Sequence, residues 1–136
     1  MSKMKKLILS LVLFSLAGCS ANSSPERHAR HFVFNQTEML SGTMHNNRNA
    51  AYAANLPQFK KLYDMGKADK QKGVSQDQAL AYADMIRKQA EQPQSTQATN
   101  TNNKNDKWTE DINAKDARLW HNQLADTYLD GYKGIQ

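Results

Sequence analysis

The sequence lacks the motifs that usually carry catalysis. It has no glycine-rich phosphate loop, no nucleophile elbow and no His-Glu-x-x-His helix. Its single cysteine, Cys19, cannot form a disulfide within the chain, so we expect stability to come from packing alone. Neighbouring carboxylates such as Glu110 and Asp111 suit the positive end of a helix better than an acid–base pair. We therefore predict a protein that is not an enzyme, with no catalytic residues, no metal site and no cofactor.

The sequence also lacks an apolar stretch long enough to span a membrane. Residues 7–14 (LILSLVLF) are strongly apolar, but a helix that crosses a hydrocarbon core of about 30 Å needs about 20 such residues. Three lysines precede this stretch (Lys3, Lys5 and Lys6), and small residues follow it. This order of a basic, an apolar and a small-residue part is typical of a secretory signal peptide.

The end of this signal, residues 16–19 (LAGC), resembles the lipobox of bacterial lipoproteins. The resemblance implies that residues 1–18 are a lipoprotein signal peptide, cleaved between Gly18 and Cys19. It also implies that Cys19 is diacylated on its sulfur and then acylated on its amine, with fatty acids such as palmitate. Ser20 stands where an aspartate would favour the inner membrane in enteric bacteria. The expected location is therefore the cell envelope, in the outer membrane facing the periplasm, and the first expected partner is the lipid bilayer.

Signal cleavage would remove most of the apparent positive charge. The full chain has 18 basic and 13 acidic residues, a formal net charge of +5, and its pI is near 9.4. Three lysines belong to residues 1–18, whereas every acidic residue lies beyond them. The remaining 118 of the 136 residues carry fifteen basic against thirteen acidic side chains, a net charge of +2. Such a balanced chain is not expected to bind nucleic acid.

Composition divides the rest of the chain into a tether and a folded part. Residues 19–31 (CSANSSPERHARH) are small and polar, which predicts a flexible lipidated tether. Its basic cluster, Arg27, His28, Arg30 and His31, could attract anionic headgroups or could be ordinary solvated charge. The two histidines have the spacing of metal ligands but lack further ligands. Residues 32–136 are predicted to form a small helical domain, with a polar disordered loop at about 91–107 because this stretch is poor in apolar side chains.

The spacing of apolar residues predicts an all-α fold, a small helical bundle with a central αα-hairpin. Pro57 suits the first turn of a helix, and Gly73 is expected to end that helix. Ser75 and Gln78 have the form of a capping box for the next helix. A weaker helix is expected before Pro57, and no strand is predicted. The last helix is expected to follow Thr109 and to end at Gly131, with a core stripe at helical spacing. That stripe consists of Ala117, Trp120, Leu124 and Tyr128.

Three segments carry a resemblance to a known family. They are residues 66–75 (GKADKQKGVS), residues 79–83 (ALAYA) and residues 130–134 (DGYKG), and Trp120 and Tyr128 precede the last of them in the same pattern. Together with the lipobox they resemble the small lipoproteins named after the entry-exclusion proteins of mobilisable colicinogenic plasmids. The resemblance implies that the protein blocks conjugal uptake of related plasmids by non-catalytic contact. The implied partner is an envelope or conjugation-apparatus protein.

The resemblance supplies no catalytic residues, and it does not identify the surface that contacts a partner. Trp120, Tyr128 and Tyr132 are candidate partner contacts, because aromatic residues near a chain end suit protein interfaces. The alternative for Trp120 and Tyr128 is that they belong to the core. The alternative function is a structural or adaptor envelope lipoprotein that binds a protein partner or peptidoglycan. An accessory subunit of an enzyme is a third class.

Overall fold

The computed structural model describes residues 22–37, 47–99, 105 and 107–136. The signal peptide, the Gly18–Cys19 cleavage site and the lipidated cysteine itself lie outside the described residues. The elements in chain order are the helices α1 (Ser24–Asn35), α2 (Arg48–Gln71) and α3 (Gln76–Lys88), a 3-10 turn (Gln89–Glu91), the strands β1 (Ser95–Thr99) and β2 (Lys107–Asp111), and the helix α4 (Ala114–Lys133). The predicted all-α class is confirmed, since the helices form the bundle.

Helix α4 lies at the centre of the bundle, and the other three helices pack on it. Helix α2 runs parallel to α4, whereas α1 and α3 run antiparallel to it, as their contacts along α4 show. The buried side chains of α4 include Leu124, Ala125 and Tyr128, and Tyr128 has no exposed surface. The predicted core stripe of the last helix is thus confirmed for Leu124 and Tyr128.

Two glycines allow α2 and α4 to approach closely. A Cβ atom on Gly66 would collide with the backbone of Tyr128, and a Cβ atom on Gly131 would collide with the backbone of Tyr63. The predicted helix end at Gly131 is therefore wrong, because this glycine lies inside α4 at the crossing of the two helices. The helix ends instead at Gly134, which adopts the left-handed conformation with φ 74°.

The αα-hairpin consists of α2 and α3, joined by a tight turn at Gly73 with φ 79°. The predicted capping box is confirmed, since Ser75 N donates to Gln78 Oε1 at 3.0 Å and Gln78 N donates to Ser75 Oγ at 3.3 Å. The two helices of the hairpin do not pack closely on each other. Each packs mainly on α4 and contacts the other only slightly.

The predicted helix start at Pro57 is wrong. Helix α2 begins at Arg48, and Asn47 caps it by accepting a hydrogen bond from Ala50 N at 2.9 Å. Pro57 lies inside the helix, where it removes one backbone donor to the carbonyl of Ala53. Both residues are exposed, which keeps the loss of that hydrogen bond away from the core.

The predicted tether at residues 19–31 is wrong from Ser24 onwards, because α1 is part of the bundle. Pro25 lies in the first helical turn, a position that suits proline. The buried side chains of α1 include Ala29, Phe32 and Val33, which recur at intervals of three and one and so share one face. Their burial stabilises a segment whose flanking residues are mostly polar.

The predicted disordered loop at about 91–107 is wrong at both ends. Strand β1 pairs antiparallel with β2, from Ser95 opposite Asp111 to Thr99 opposite Lys107. We call this two-stranded sheet the β-ribbon. Its threonines favour extended backbone. The backbone N–H and C=O groups of the two strands pair with each other, so the ribbon forms without the alternation of apolar residues that usually indicates a strand. Thr109 lies in β2, so the helix cap expected there is supplied instead by Asn113, whose side chain accepts from Asp116 N at 2.9 Å.

Candidate functional site

The predicted lipidation site precedes the described residues by a short distance along the chain. Cys19 lies three positions before Asn22, where the described structure begins. The folded part closest to it in sequence is the start of α1. There Ser23 N donates to Glu26 Oε2 at 2.8 Å. This backbone hydrogen bond, followed by the side-chain bond to Ser23, lowers the pKa of the Glu26 carboxyl below its usual value.

The start of α1 is linked to the end of α4 by a group of polar side chains. We call this group the Asp130 cluster, and it consists of Ser24, Arg27, His28, Gln123 and Asp130. Ser24 Oγ donates to Asp130 Oδ2 at 2.7 Å, and Ser24 is fully buried. Arg27 Nη2 lies 3.6 Å from the same oxygen. One carboxylate at the end of α4 therefore contacts two polar residues that lie about one turn apart on α1.

His28 completes the Asp130 cluster. Its Nε2 lies 3.2 Å from Asp130 Oδ2, and its Nδ1 lies 2.7 Å from Gln123 Oε1. Because an oxygen faces each ring nitrogen, both nitrogens can donate when the ring carries two protons. His28 thus bridges two positions of α4 that are two helical turns apart.

The basic cluster of residues 27–31, for which headgroup contact and solvated charge were both open, is divided by the fold. Arg27 donates to the backbone oxygen of Gln136 at 2.7 Å in addition to pairing with Asp130. Arg30 lies over the ring of Tyr52, 5.1 Å from its centre. His31 is exposed. Arg27 and His28 therefore join α1 to the C-terminal part of the fold, and the four residues do not act as one patch.

The three aromatic residues predicted to contact a partner lie in or against the core. Trp120 packs edge-on against Phe32 and Phe59, with ring centres 4.7 and 5.2 Å away. Tyr128 is fully buried and Tyr132 is 5% exposed. The rings of Tyr128 and Tyr132 are thus out of reach of a partner on the folded surface, whereas Trp120 is partly exposed, and contact of a partner with Trp120 stays a prediction. The alternative, that Trp120 and Tyr128 belong to the core, agrees with their contacts.

The hydroxyl groups of the two tyrosines tie α4 to the hairpin formed by α2 and α3. Tyr128 Oη donates to Asp69 Oδ2 at 2.8 Å, and Tyr132 Oη donates to the carbonyl oxygen of Val74 at 2.7 Å. Burial, and then the hydrogen bond to Asp69, raises the pKa of Tyr128 well above its usual value. The Tyr128 phenol therefore stays protonated and acts as a hydrogen-bond donor.

A shallow groove of about 430 Å³ lies beside the start of α1. Its lining includes Ser23 and Pro25 from α1, Lys60, Asp64 and Lys67 from α2, and Gln136. A second groove of about 270 Å³ lies at the same end of the bundle, between Lys70 of α2 and Lys133 of α4. Both grooves are bordered by lysine ammonium groups, which bind anions as point charges.

Two further properties concern metals and membranes. Within the described ranges, no three His, Cys, Asp or Glu side chains lie close enough together to hold a metal ion. His28 and His31 therefore belong to no group of three such side chains in this part of the chain. None of the described helices combines the length and the apolar character needed to cross a membrane.

Comparison of the chain with protein-family models, curated proteins and solved structures gave no match. The chemistry of the described site is that of hydrogen bonds and ion pairs between helices. The sequence analysis did not predict the Asp130 cluster. The sequence contains one local signal for the helix that carries part of it, the Ser23-x-x-Glu26 spacing of a capping box with Pro25 inside it. That spacing indicates a helix start where a tether was predicted.

Proposed function

We propose that this chain is a lipid-anchored protein of the bacterial cell envelope that acts in plasmid entry exclusion by non-catalytic contact. One observation carries the proposal. The LAGC sequence at residues 16–19 ends a basic and then apolar N-terminus, and the first helix of the bundle begins at Ser24, five positions after Cys19. A helical body placed so soon after an acylated cysteine stays close to the bilayer. Two or three acyl chains make such anchoring persistent, whereas one chain gives only marginal binding.

The Asp130 cluster is consistent with a bundle that is anchored through its first helix. Ser24, Arg27 and His28 connect the helix that follows the anchor to the end of the central helix. Their polar groups are paired with one another, as structural groups usually are. A pull on Cys19 is therefore transmitted to α4 and through it to the whole bundle. This arrangement suits a protein that acts by its position at the membrane.

The exclusion role depends on the family resemblance. Two of the segments that carry this resemblance lie side by side in the fold. The segments 66–75 and 130–134 are distant in sequence, but they pack on each other. Gly66 lies against the backbone of Tyr128 and Tyr132, and Tyr132 Oη donates to Val74 O. The residues that carry the resemblance thus include those that form the helix crossing at one end of the bundle.

Conjugal transfer into recipient cells tests the function. We expect recipients that express the chain to take up a related mobilisable plasmid several-fold less often than recipients with an empty vector. The Cys19→Ser variant should remain an unprocessed precursor without acyl chains, and it should lose the exclusion effect. The measurement is the number of transconjugants per recipient, with expression checked by immunoblotting and acylation checked by labelled palmitate.

Unchanged transfer, with the protein produced and acylated, would contradict the exclusion role. It would leave the structural or adaptor lipoprotein as the better description, since the anchor would then be intact. A mature N-terminus other than Cys19, read by mass spectrometry, would contradict the anchor as well. The two parts of the proposal can thus fail separately.

A further inference from the structure

One end of the bundle carries four exposed lysines. They are Lys67, Lys70, Lys72 and Lys133, and we call them the lysine end. Lys67 borders the groove beside the start of α1, and Lys70 and Lys133 border the second groove. Lys72 follows the last residue of α2. The lysines thus come from α2, its C-terminal cap and α4, and Lys67 shares a groove with Ser23 and Pro25 at the start of α1.

The positive charge of the lysine end is not cancelled by ion pairs. In the parts of the chain that the structure describes, every ion pair within 4.0 Å involves an arginine or His28, and none involves these lysines. Two carboxylates at this end have internal partners, since Asp69 accepts from Tyr128 and Asp130 accepts from Ser24.

The other charged groups near the lysine end leave it positive. Asp64 and Asp77 are exposed there and Asp69 is partly exposed, so four ammonium groups accompany three carboxylates, while Arg27 offsets the charge of Asp130. The hydrogen bonds from Ser23 lower the pKa of Glu26 most and the charge of Lys60 adds to this, so Lys60 and Glu26 offset each other. The lysine end therefore keeps an excess of positive charge, which attracts anions.

The length of chain between Cys19 and the fold limits which surface can reach the bilayer. Two residues, Ser20 and Ala21, separate Cys19 from Asn22, and the three Cα–Cα steps between them span at most about 11 Å. Asn22 is held at the start of α1, where its carbonyl accepts from Arg27 at 3.2 Å. The other end of α2, at Arg48, is 23 residues before Gln71, or about 35 Å along the helix axis. The lysine end is therefore within reach of an anchored membrane, whereas the start of α2 is far from it.

We propose that the lysine end rests on the same bilayer that holds Cys19, with its ammonium groups against the phosphates of anionic lipid headgroups. This inference rests on the proposed lipid anchor. Lysines close to an anionic surface each add to the attraction, and the acyl chains hold them there continuously. The β-ribbon and the start of α2 then face away from the membrane, and they are the surface available to a partner in the periplasm.

Labels at the two ends of α2 test the orientation. The full chain is purified with its lipid and reconstituted into vesicles of phosphatidylcholine and phosphatidylglycerol. Gln71→Cys and Asn49→Cys each introduce one reactive thiol on an exposed position, because the sulfur of Cys19 is blocked by its lipid. A fluorophore on each thiol is quenched by lipids that carry a nitroxide on the headgroup. We expect quenching to be several-fold stronger at position 71 than at position 49.

Two matched triple variants test the charge. The first, Lys67→Gln with Lys72→Gln and Lys133→Gln, removes three positive charges from the lysine end. The control, Lys88→Gln with Lys107→Gln and Lys115→Gln, removes three exposed charges elsewhere. In the native chain, adding phosphatidylglycerol to phosphatidylcholine vesicles should raise quenching at position 71 several-fold. We expect the first variant to lose this rise and the control variant to keep it.

The outcomes separate this inference from the function on which it rests. Mass spectrometry that finds no lipid on Cys19 would overturn both the anchor and the orientation. Lipid on Cys19 with equal quenching at positions 71 and 49, or stronger quenching at 49, would overturn the orientation alone. A correct orientation that does not depend on phosphatidylglycerol, or that both triple variants change equally, would overturn the role of the lysines.

Discussion

The end of the bundle near Cys19 and the β-ribbon are held in different ways. Near Cys19, α1, α2 and α4 are joined by buried or partly buried groups, among them the Asp130 cluster and the contact of Gly66 with the backbone of Tyr128. The strands of the β-ribbon make their contacts chiefly with each other. The end of the bundle near Cys19 is thus joined to the rest of the fold by more interactions than the β-ribbon is. We expect substitutions in the two regions to differ in their effect on the free energy of unfolding.

The largest effect is expected at the helix crossing. In Gly66→Ala, the new methyl group would meet the backbone of Tyr128, which cannot move aside as a flexible side chain could. Forced overpacking of this kind costs about 3 kcal/mol of unfolding free energy. Chemical denaturation followed by circular dichroism measures it.

Gly73→Ala is the matched control for the crossing. No atom lies within 4 Å of the position a Cβ would take at Gly73, so its cost comes from the positive φ alone, about 1 kcal/mol. Equal losses in the two variants would show that close approach of α2 and α4 contributes little. The end of the bundle near Cys19 would then not be held by close helix packing, and in this respect it would not differ from the β-ribbon.

The Asp130 cluster is expected to give the next largest effect. Asp130→Ala removes the acceptor used by buried Ser24 and by His28, and it leaves both without this partner. Unpaired buried polar groups cost about 2 kcal/mol in unfolding free energy. Asp64→Ala is the control, since it removes an exposed carboxylate of the same bundle end.

Hydrogen exchange would show whether the loss of stability in Asp130→Ala arises from local opening of α1. If the cluster holds α1 to α4, amides of α1 should exchange faster in Asp130→Ala than in Asp64→Ala, because local opening becomes easier. Unaltered exchange in α1 would mean that its apolar face alone keeps it bound.

A smaller effect, dependent on pH, is expected at Tyr128. Burial and the hydrogen bond to Asp69 raise the pKa of Tyr128 above 10.0, the usual value for tyrosine. The stabilisation is fully present below the pKa of the unfolded chain and is lost as the pH rises through that of the folded state. The free energy of unfolding should therefore fall above about pH 10, and it should fall less in Tyr128→Phe.

Tyr128→Phe also removes the hydrogen bond to Asp69, at about 1 kcal/mol near neutral pH. Tyr63→Phe serves as the control for the alkaline titration, because it removes a partly exposed phenol of α2. Parallel pH profiles for the native chain and Tyr128→Phe would contradict a raised pKa for the buried phenol.

Local signals in the sequence predicted the turn at Gly73, the capping box at Ser75 and the core position of Tyr128. Each depends on residues within one or two helical turns. The Asp130 cluster could not be predicted in the same way, because Ser24 and Asp130 are 106 positions apart. Each of them, taken alone in the sequence, looks like an ordinary exposed polar residue. Gly131 resembled a helix terminator for the same reason, since the partner helix that requires a glycine is distant in sequence.

The smallest effect on the bundle is expected from a change that disrupts the β-ribbon. Thr96 pairs with Glu110, two positions along from the bonded pair in which Ile112 N donates to Gln94 O, so its N–H belongs to the ladder. Thr96→Pro removes this N–H and restricts φ there. Because the ribbon contacts mainly itself, the unfolding free energy of the helices should change by less than about 0.5 kcal/mol. Amides of β2 should nevertheless exchange much faster than in the control Thr96→Ala. A loss comparable to that in Asp130→Ala would mean that the ribbon supports the bundle, and the two regions would then have to be treated as one cooperative unit.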